Sequence, residues 1–480
     1  MTLGQDLFQQ ANFVAGAWRG EGLGEPLAVL DKYSRAGLAR VPLASEGLAH
    51  EAVAAAGEAF FSFGSWSAGK RAQHLGLFLK ELKNSAEPLA RLICAEAGKP
   101  IDFARAEVAR SLENMENAMA LATRHAGELV PMDFGHSQGK IAYTLRVPVG
   151  PVLAMTPFNF PLNLALHKVG PALAVGCPVI IKPSPHAPLT ALALAGLAAK
   201  AGYPAGVVQT LCCENALAQK LAADPAIAML SFTGSAAVGW HLKSICGKKK
   251  ITLELGGNAA AVVDETADID KAARRLALGA HIYAGQICIS TQRVYAVEAV
   301  FDQLAEKILA YTKELVVGDP AKEGVQVGPL IDRASLERVA AWVDEAIARG
   351  AKALCGARVA DGDKNLYAPT WLTGTRKDDL VVCREVFGPV AVLEKVSDFA
   401  AGLAAANDSD YGLQAGVFTS SMERMKHAHQ TLEVGAVIIN NAPGFRVDAM
   451  PYGGVKASGF GREGALYAME EMTHPRLIIF

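Results

Sequence analysis

None of the eight cysteines (94, 177, 212, 213, 246, 288, 355 and 383) stands in a CxxC pair or at metal-ligand spacing, and a 480-residue chain needs no disulfide staples. Reduced thiols are expected, and no metal centre. An excess of either charge is also missing: 46 Lys and Arg against 48 Asp and Glu leave a net charge of −2. The basic residues are scattered, so no phosphate-tracking face and no nucleic-acid partner are expected. The most apolar region, 147–181, is interrupted by Pro148, Pro151, Pro157, Asn159, Pro161, Asn163, His167 and Lys168, which excludes a bilayer span and any membrane partner. The opening stretch, MTLGQDLFQQ, has no basic region leading into an apolar run. No secretory signal is expected, and the chain reads as cytoplasmic. Repeats, heptads and low-complexity segments are absent as well.

What is present is 51% hydrophobic residues, 20% charged residues and 46 glycines, the composition of an α/β globule. The length exceeds what one hydrophobic core supports, so two or three packed units are expected. Residues 46–61 and 69–97 carry Ala, Leu and Phe at helical spacing, the second run stopping at Gly98-Lys99-Pro100. The proline-broken stretch 140–162 reads as strand, turn, strand. Strands and helices then alternate: strand 178–184, helix 189–202, strand 207–212, strand 226–235. That order implies a parallel sheet covered on both faces. A second α/β stretch from 251 holds 250–263, a helix near 268–283, and later strands at 380–383 and 436–440.

Several short motifs bear on chemistry. Gly234 and Ser235 lie where a strand gives way to a helix, a place where backbone N–H groups can meet phosphate oxygens; a plain turn is the alternative. Lys182 ends the strand before it, in the crevice where open parallel sheets bind ligands, and can reach a ribose hydroxyl or simply face water. Glu254 sits in the apolar run LELGG, where burial makes a carboxylate a better general base; an edge residue facing water is the alternative. Asn159, between two phenylalanines and two prolines, can donate to a developing oxyanion or serve as a turn residue. Cys288, between two isoleucines in YAGQICIS, is a nucleophile or one more buried small hydrophobe.

In order and at these spacings, TPFNFPL, KPS, FTGS, LELGG, GQICIS, EVFGP and PYGGVKASGFGREG resemble the aldehyde dehydrogenase superfamily along nearly the whole chain. The resemblance implies a Rossmann-like parallel-sheet cofactor domain (1–120 and 147–250), an α/β catalytic domain (251–445) and a β bridging arm (121–146 and 465–480). It makes Cys288 the nucleophile, Glu254 the general base and Asn159 the oxyanion donor. Thr156, Phe158, Lys182, Ser184, Pro185, Gly234, Ser235, Leu255, Glu385 and Phe387 become the cofactor-binding set. The implied reaction oxidises an aldehyde to the carboxylic acid through a thiohemiacetal and a thioester that Glu254-activated water hydrolyses. A coenzyme-A-acylating semialdehyde dehydrogenase and a catalytically silent relative are the rival readings.

Some relatives hold a glutamate three positions after the lysine, which repels a 2′-phosphate. Here Pro185 stands there, so NAD is expected and NADP is allowed. Leu164, His167, Arg446 and Tyr452 are expected to select the substrate. The segment PGFRVDAMPY is similar to the branch handling small hydroxylated or acidic aldehydes, including the lactaldehyde, phosphonoacetaldehyde and succinate-semialdehyde dehydrogenases. Arg446 is expected to clamp an anionic tail, or else to pair with Asp448 at the surface. The apolar C-terminal run and the 121–146 region are similar to the family's bridging arm, which implies a homodimer or homotetramer.

Overall fold

Between Val152 and Glu254 the chain lays down five parallel strands, described here from a computed structural model covering residues 7–22 and 24–480. In spatial order they are Val208–Thr210, Val179–Lys182, Val152–Met155, Met229–Thr233 and Lys250–Glu254. Antiparallel edges Ala17–Arg19, Asn12–Val14 and Gly459–Phe460 complete an eight-stranded sheet. The apolar strand runs have a direct cause: Val152 and Ala154 pack into a core on one face, Leu153 and Met155 into another on the opposite face. The strand order reverses beside Val152–Met155, which leaves a crevice at the carboxyl ends of that strand and its neighbours.

A second, seven-stranded sheet runs Lys352–Cys355, Thr370–Thr373, Val390–Val396, Arg293–Val297, Ala260–Val263, Gln414–Phe418 and Ala436–Ile439. All its pairings are parallel except that of the first strand. The third sheet joins Leu129–Val130, Ala142–Pro148 and Thr473–Ile479, all antiparallel. Among the described residues all eight cysteines are free thiols, and no helix is long and apolar enough to cross a membrane.

Two local expectations are corrected. The run 69–97 is two helices, Ala68–Asn84 and Ala86–Ala97, because the chain leaves the helical region at Ser85; the second helix does end on left-handed Gly98. The apolar LVVC at 380–383 is one helical turn, Leu380–Cys383, rather than a strand. Four apolar residues carry no period that tells the two apart. The helix Ile101–Ala122 crosses behind Asn163–Val175, and Glu107 joins them by accepting from the backbone N–H groups of Leu162 and Asn163 at 3.0 and 3.1 Å. A carboxylate at that helix start offsets the partial positive charge there.

Candidate active site

At the crevice, Thr156 and Lys182 stand at the ends of adjacent strands, and Thr156 N–H donates to the Lys182 carbonyl at 3.1 Å. They open on a hollow of about 350 Å³ walled by Phe232, Val238 and Leu242. Burial pulls the Lys182 ammonium below its usual range, and it forms no ion pair among the described residues. Gly234 leads into helix Ala236–Ile245, whose Ser235 cap makes no side-chain bond and so leaves the first N–H groups open. Gly239 lets this helix lie on Leu255, whose Cδ2 would be only 2.3 Å from any added Cβ. Apolar walls for a base, a buried amine for hydroxyls and a bare helix N-terminus for phosphates fit the adenosine half of a dinucleotide. Ser184 and exposed Pro185 make the turn beyond, where Ser184 Oγ accepts from His186 N–H at 3.3 Å.

At the other end of the crevice, Phe158 meets Phe387 edge to face with centroids 5.8 Å apart. Burial pushes Glu385 up to about 7, and its carboxylate accepts from Gly257 N–H at 3.0 Å. A Cβ at Gly256 would stand 2.3 Å from the same carboxylate, so any larger residue there would push the Glu385 side chain aside.

The thiol sits on a wound turn. Tyr283, Ala284 and Gly285 have φ values of 54°, 53° and 67°, three successive left-handed residues of which two carry side chains. That conformation costs about 1–2 kcal/mol for each non-glycine residue. The turn is held by Tyr283 OH on the Ala97 carbonyl at 2.9 Å and by Gln286, whose side chain accepts from Ile331 N–H at 2.9 Å and donates to Pro329 O at 3.1 Å. Cys288 follows, half-buried, with its sulfur 3.1 Å from the Tyr452 hydroxyl; burial pushes the thiol up to about 11. Asn159 reaches this turn from the first sheet, donating one amide hydrogen to the Gln286 carbonyl at 2.8 Å and keeping a second. Glu254, at the end of its strand, is buried with neither oxygen hydrogen-bonded. Burial, with the neighbouring Glu463 carboxylate, pushes Glu254 well above the usual carboxylate range.

In front of the sulfur is a cavity of about 160 Å³ whose wall includes Leu164, Ile287, Ile289, Arg446 and Tyr452. His167 does not line it. That ring is wholly buried behind Arg446, 3.0 Å from an Asp448 oxygen, and burial together with Arg446 holds it below the usual imidazole range. Arg446 does pair with Asp448, at 3.5 Å, but inside the protein and not at its surface; its guanidinium also lies 3.7 Å from Glu463. The chain of charge continues to Lys168, which pairs with Glu463.

Three charged wall residues were not foreseen: Arg110, Lys99 and Glu107. Lys99 is buried over the Phe160 ring at 3.4 Å and pairs with Glu107; burial draws it down to about 8. Arg110 binds Asp448. Their signal in the sequence was a lysine after a helix-ending glycine and charges on the inner face of a helix, which solvated residues mimic.

A family model described as the aldehyde dehydrogenase family matches residues 18–478. The chain belongs to that family. It is an NAD(P)-dependent aldehyde dehydrogenase, an oxidoreductase turning an aldehyde into a carboxylic acid, with the α/β, Rossmann-like architecture of the family. This aldehyde dehydrogenase is 40% identical over 100% of its length, and 99% of the relative's, to the 3-sulfolactaldehyde dehydrogenase of Priestia aryabhattai. To the NADP(+) succinate-semialdehyde dehydrogenase of Escherichia coli it is 35% identical, covering 97% of this chain and 96% of that one. The crystal structure of aldehyde dehydrogenase 21 from Physcomitrella patens, in complex with the reaction product succinate, superposes with a TM-score of 0.95 at 37% identity over 98% of both chains. The resemblance to the lactaldehyde and succinate-semialdehyde dehydrogenase branch therefore holds.

Proposed function

We propose that this aldehyde dehydrogenase works through Cys288, Asn159 and Glu254 on short aldehydes carrying an acidic or hydroxylated tail. The observation that carries the reading is the bond from the Asn159 amide to the Gln286 carbonyl, which ties the amide to the turn bearing the sulfur. Thiolate attack on the aldehyde carbon creates an oxyanion, held by the second amide hydrogen of Asn159 and by the Cys288 backbone N–H. Bound nicotinamide would supply the acceptor for the hydride that leaves this carbon. Cys288 then carries the acyl group as a thioester. Glu254 takes a proton from water as the water oxygen attacks, the carbon–sulfur bond breaks, and the acid leaves. A carboxylate whose pKa is raised is the stronger base once ionised.

The small cavity and the two arginines in its wall, Arg110 and Arg446, support the substrate class. So do the names of the relatives, which act on 3-sulfolactaldehyde and succinate semialdehyde. NAD is the proposed cofactor with NADP also accepted, because exposed Pro185 offers no carboxylate to repel a 2′-phosphate. Thr473–Ile479 is the outer strand of its sheet, with Leu477, Ile479 and Phe480 exposed, and we propose that a second copy covers it in a homodimer or homotetramer. The test is a panel of aldehydes with each cofactor, read by nicotinamide absorbance and by product analysis. Free acid, faster turnover of short acidic or hydroxylated aldehydes, and a preference for NAD are expected. Acyl-CoA formation dependent on added coenzyme A, or a preference for long alkyl aldehydes, would overturn the reading.

A further inference from the structure

The cysteines differ in the kind of polar group they touch. Cys177 and Cys355 contact the backbone alone: carbonyls, Met472 O at 3.5 Å and Pro369 O at 3.6 Å, and backbone N–H groups that partly offset burial of the thiol. Cys288 instead faces a hydroxyl, that of Tyr452 at 3.1 Å. A hydroxyl can donate to sulfur, and donation favours the thiolate.

The phenol is fixed from two sides. Its backbone exchanges two hydrogen bonds with Glu463, at 2.9 and 2.7 Å. Its ring carries the Arg446 guanidinium at 3.6 Å from the centroid. A cation over the ring face attracts its electron density and strengthens O–H donation. With 3% of Tyr452 exposed, burial disfavours the phenolate, so the proton stays on oxygen and is shared toward sulfur.

Resting on the reading of Cys288 as the nucleophile, we propose that Tyr452 is a further catalytic residue, whose hydroxyl donates to the Cys288 sulfur, favours its ionisation against burial and holds it toward the substrate cavity. No proton leaves Tyr452 in this role. The donor acts on the free enzyme, before any aldehyde arrives, so its effect is measurable without turnover.

The experiment is iodoacetamide alkylation of the full-length enzyme as a function of pH, followed by mass spectrometry of the Cys288 peptide. Tyr452→Phe keeps the ring under Arg446 and deletes only the hydroxyl. The inflection for Cys288 is expected to move up by about 1–2 pH units, with alkylation at pH 8 slowed about tenfold or more. As a second arm that removes no atoms from the packing, enzyme made with 3-fluorotyrosine, a stronger donor, should shift the inflection down. An unchanged inflection in both arms would overturn the proposal. Cys288→Ala is run beside them: full aldehyde turnover by that variant would sink the nucleophile reading itself, whereas its loss together with unmoved inflections sinks only the role of Tyr452.

Discussion

Arg110 grips Asp448 with two nitrogens, Nη2 at 2.6 Å and Nε at 3.2 Å, across a sequence separation of 338 residues. The helix Ile101–Ala122 is thereby locked to the segment that carries Arg446 and Tyr452. Arg110 also stands in the wall of the cavity before the sulfur. Replacing Arg110 by Met is expected to raise KM for aldehydes with an anionic tail by about 10- to 100-fold, the value of a charge-assisted hydrogen bond. Neutral short aldehydes should change much less. Steady-state kinetics on a matched pair, one acidic and one neutral, checks this, and an equal loss on both would remove Arg110 from substrate recognition.

Glu254→Gln keeps the size of the side chain and removes the base. The first turnover should proceed and the second should not, so an acyl adduct accumulates on Cys288. Intact-protein mass spectrometry after mixing with aldehyde and cofactor should show it, with steady-state rate down about 100-fold or more. Undiminished turnover would show that water is activated elsewhere.

Asn159→Ala deletes one oxyanion donor and one tie to the Gln286 carbonyl. The expected loss is about 100- to 1000-fold in kcat with a small change in KM, because the donor acts on charge that exists only after attack. A large KM effect with kcat intact would mean that Asn159 only shapes the pocket.

Burial holds the Cys288 thiol protonated near neutrality, its pKa pushed up to about 11. Alkylation needs the thiolate, so its rate in the free enzyme is expected to rise with pH, about tenfold per unit, from pH 7 toward that value. Raised Glu254 acts in the same direction: it must lose its proton to serve as base, so steady-state turnover should also climb with pH above the usual carboxylate range. A plateau of both rates already at pH 6 would contradict the buried environment of the two groups.

Leu477→Glu places a charge on the open edge of the three-stranded sheet. Light scattering should give the wild type two or four times its 50.4 kDa chain mass, and the variant a smaller assembly. A wild-type mass of one chain would leave the exposed Leu477, Ile479 and Phe480 without the proposed cover.

The parallel sheets were legible because buried strands such as PVIIK and helices such as LTALALAGLAAK differ in length and in their flanking glycines and prolines. Cys288, Asn159, Glu254 and Lys182 were legible because each stands in a short motif. His167 and Arg446 were read only as far as their neighbourhood: nothing local in NLALHKVG reveals that the imidazole packs inward against a residue about 280 positions away. Lys99, just after a helix end, and Glu107 and Arg110, on the next helix, look like ordinary surface charges, and only the packing of Ile101–Ala122 against Asn163–Val175 and its neighbours buries Lys99 and Glu107 and half-buries Arg110. Pair contacts across hundreds of residues leave no trace in spacing. For the same reason Tyr452 was legible as a cavity residue but its hydroxyl contact with sulfur was not.

The wound turn of Tyr283, Ala284 and Gly285 stands against its own preference only because ropes tied at Ala97, Pro329 and Ile331 keep it taut. None of those three anchor residues hydrogen-bonds to the sulfur, yet all three set where it points. The position of the nucleophile is thus bound to backbone atoms of two separate segments, one at Ala97 and one at Pro329 and Ile331, so a shift in either is carried to the sulfur through the turn.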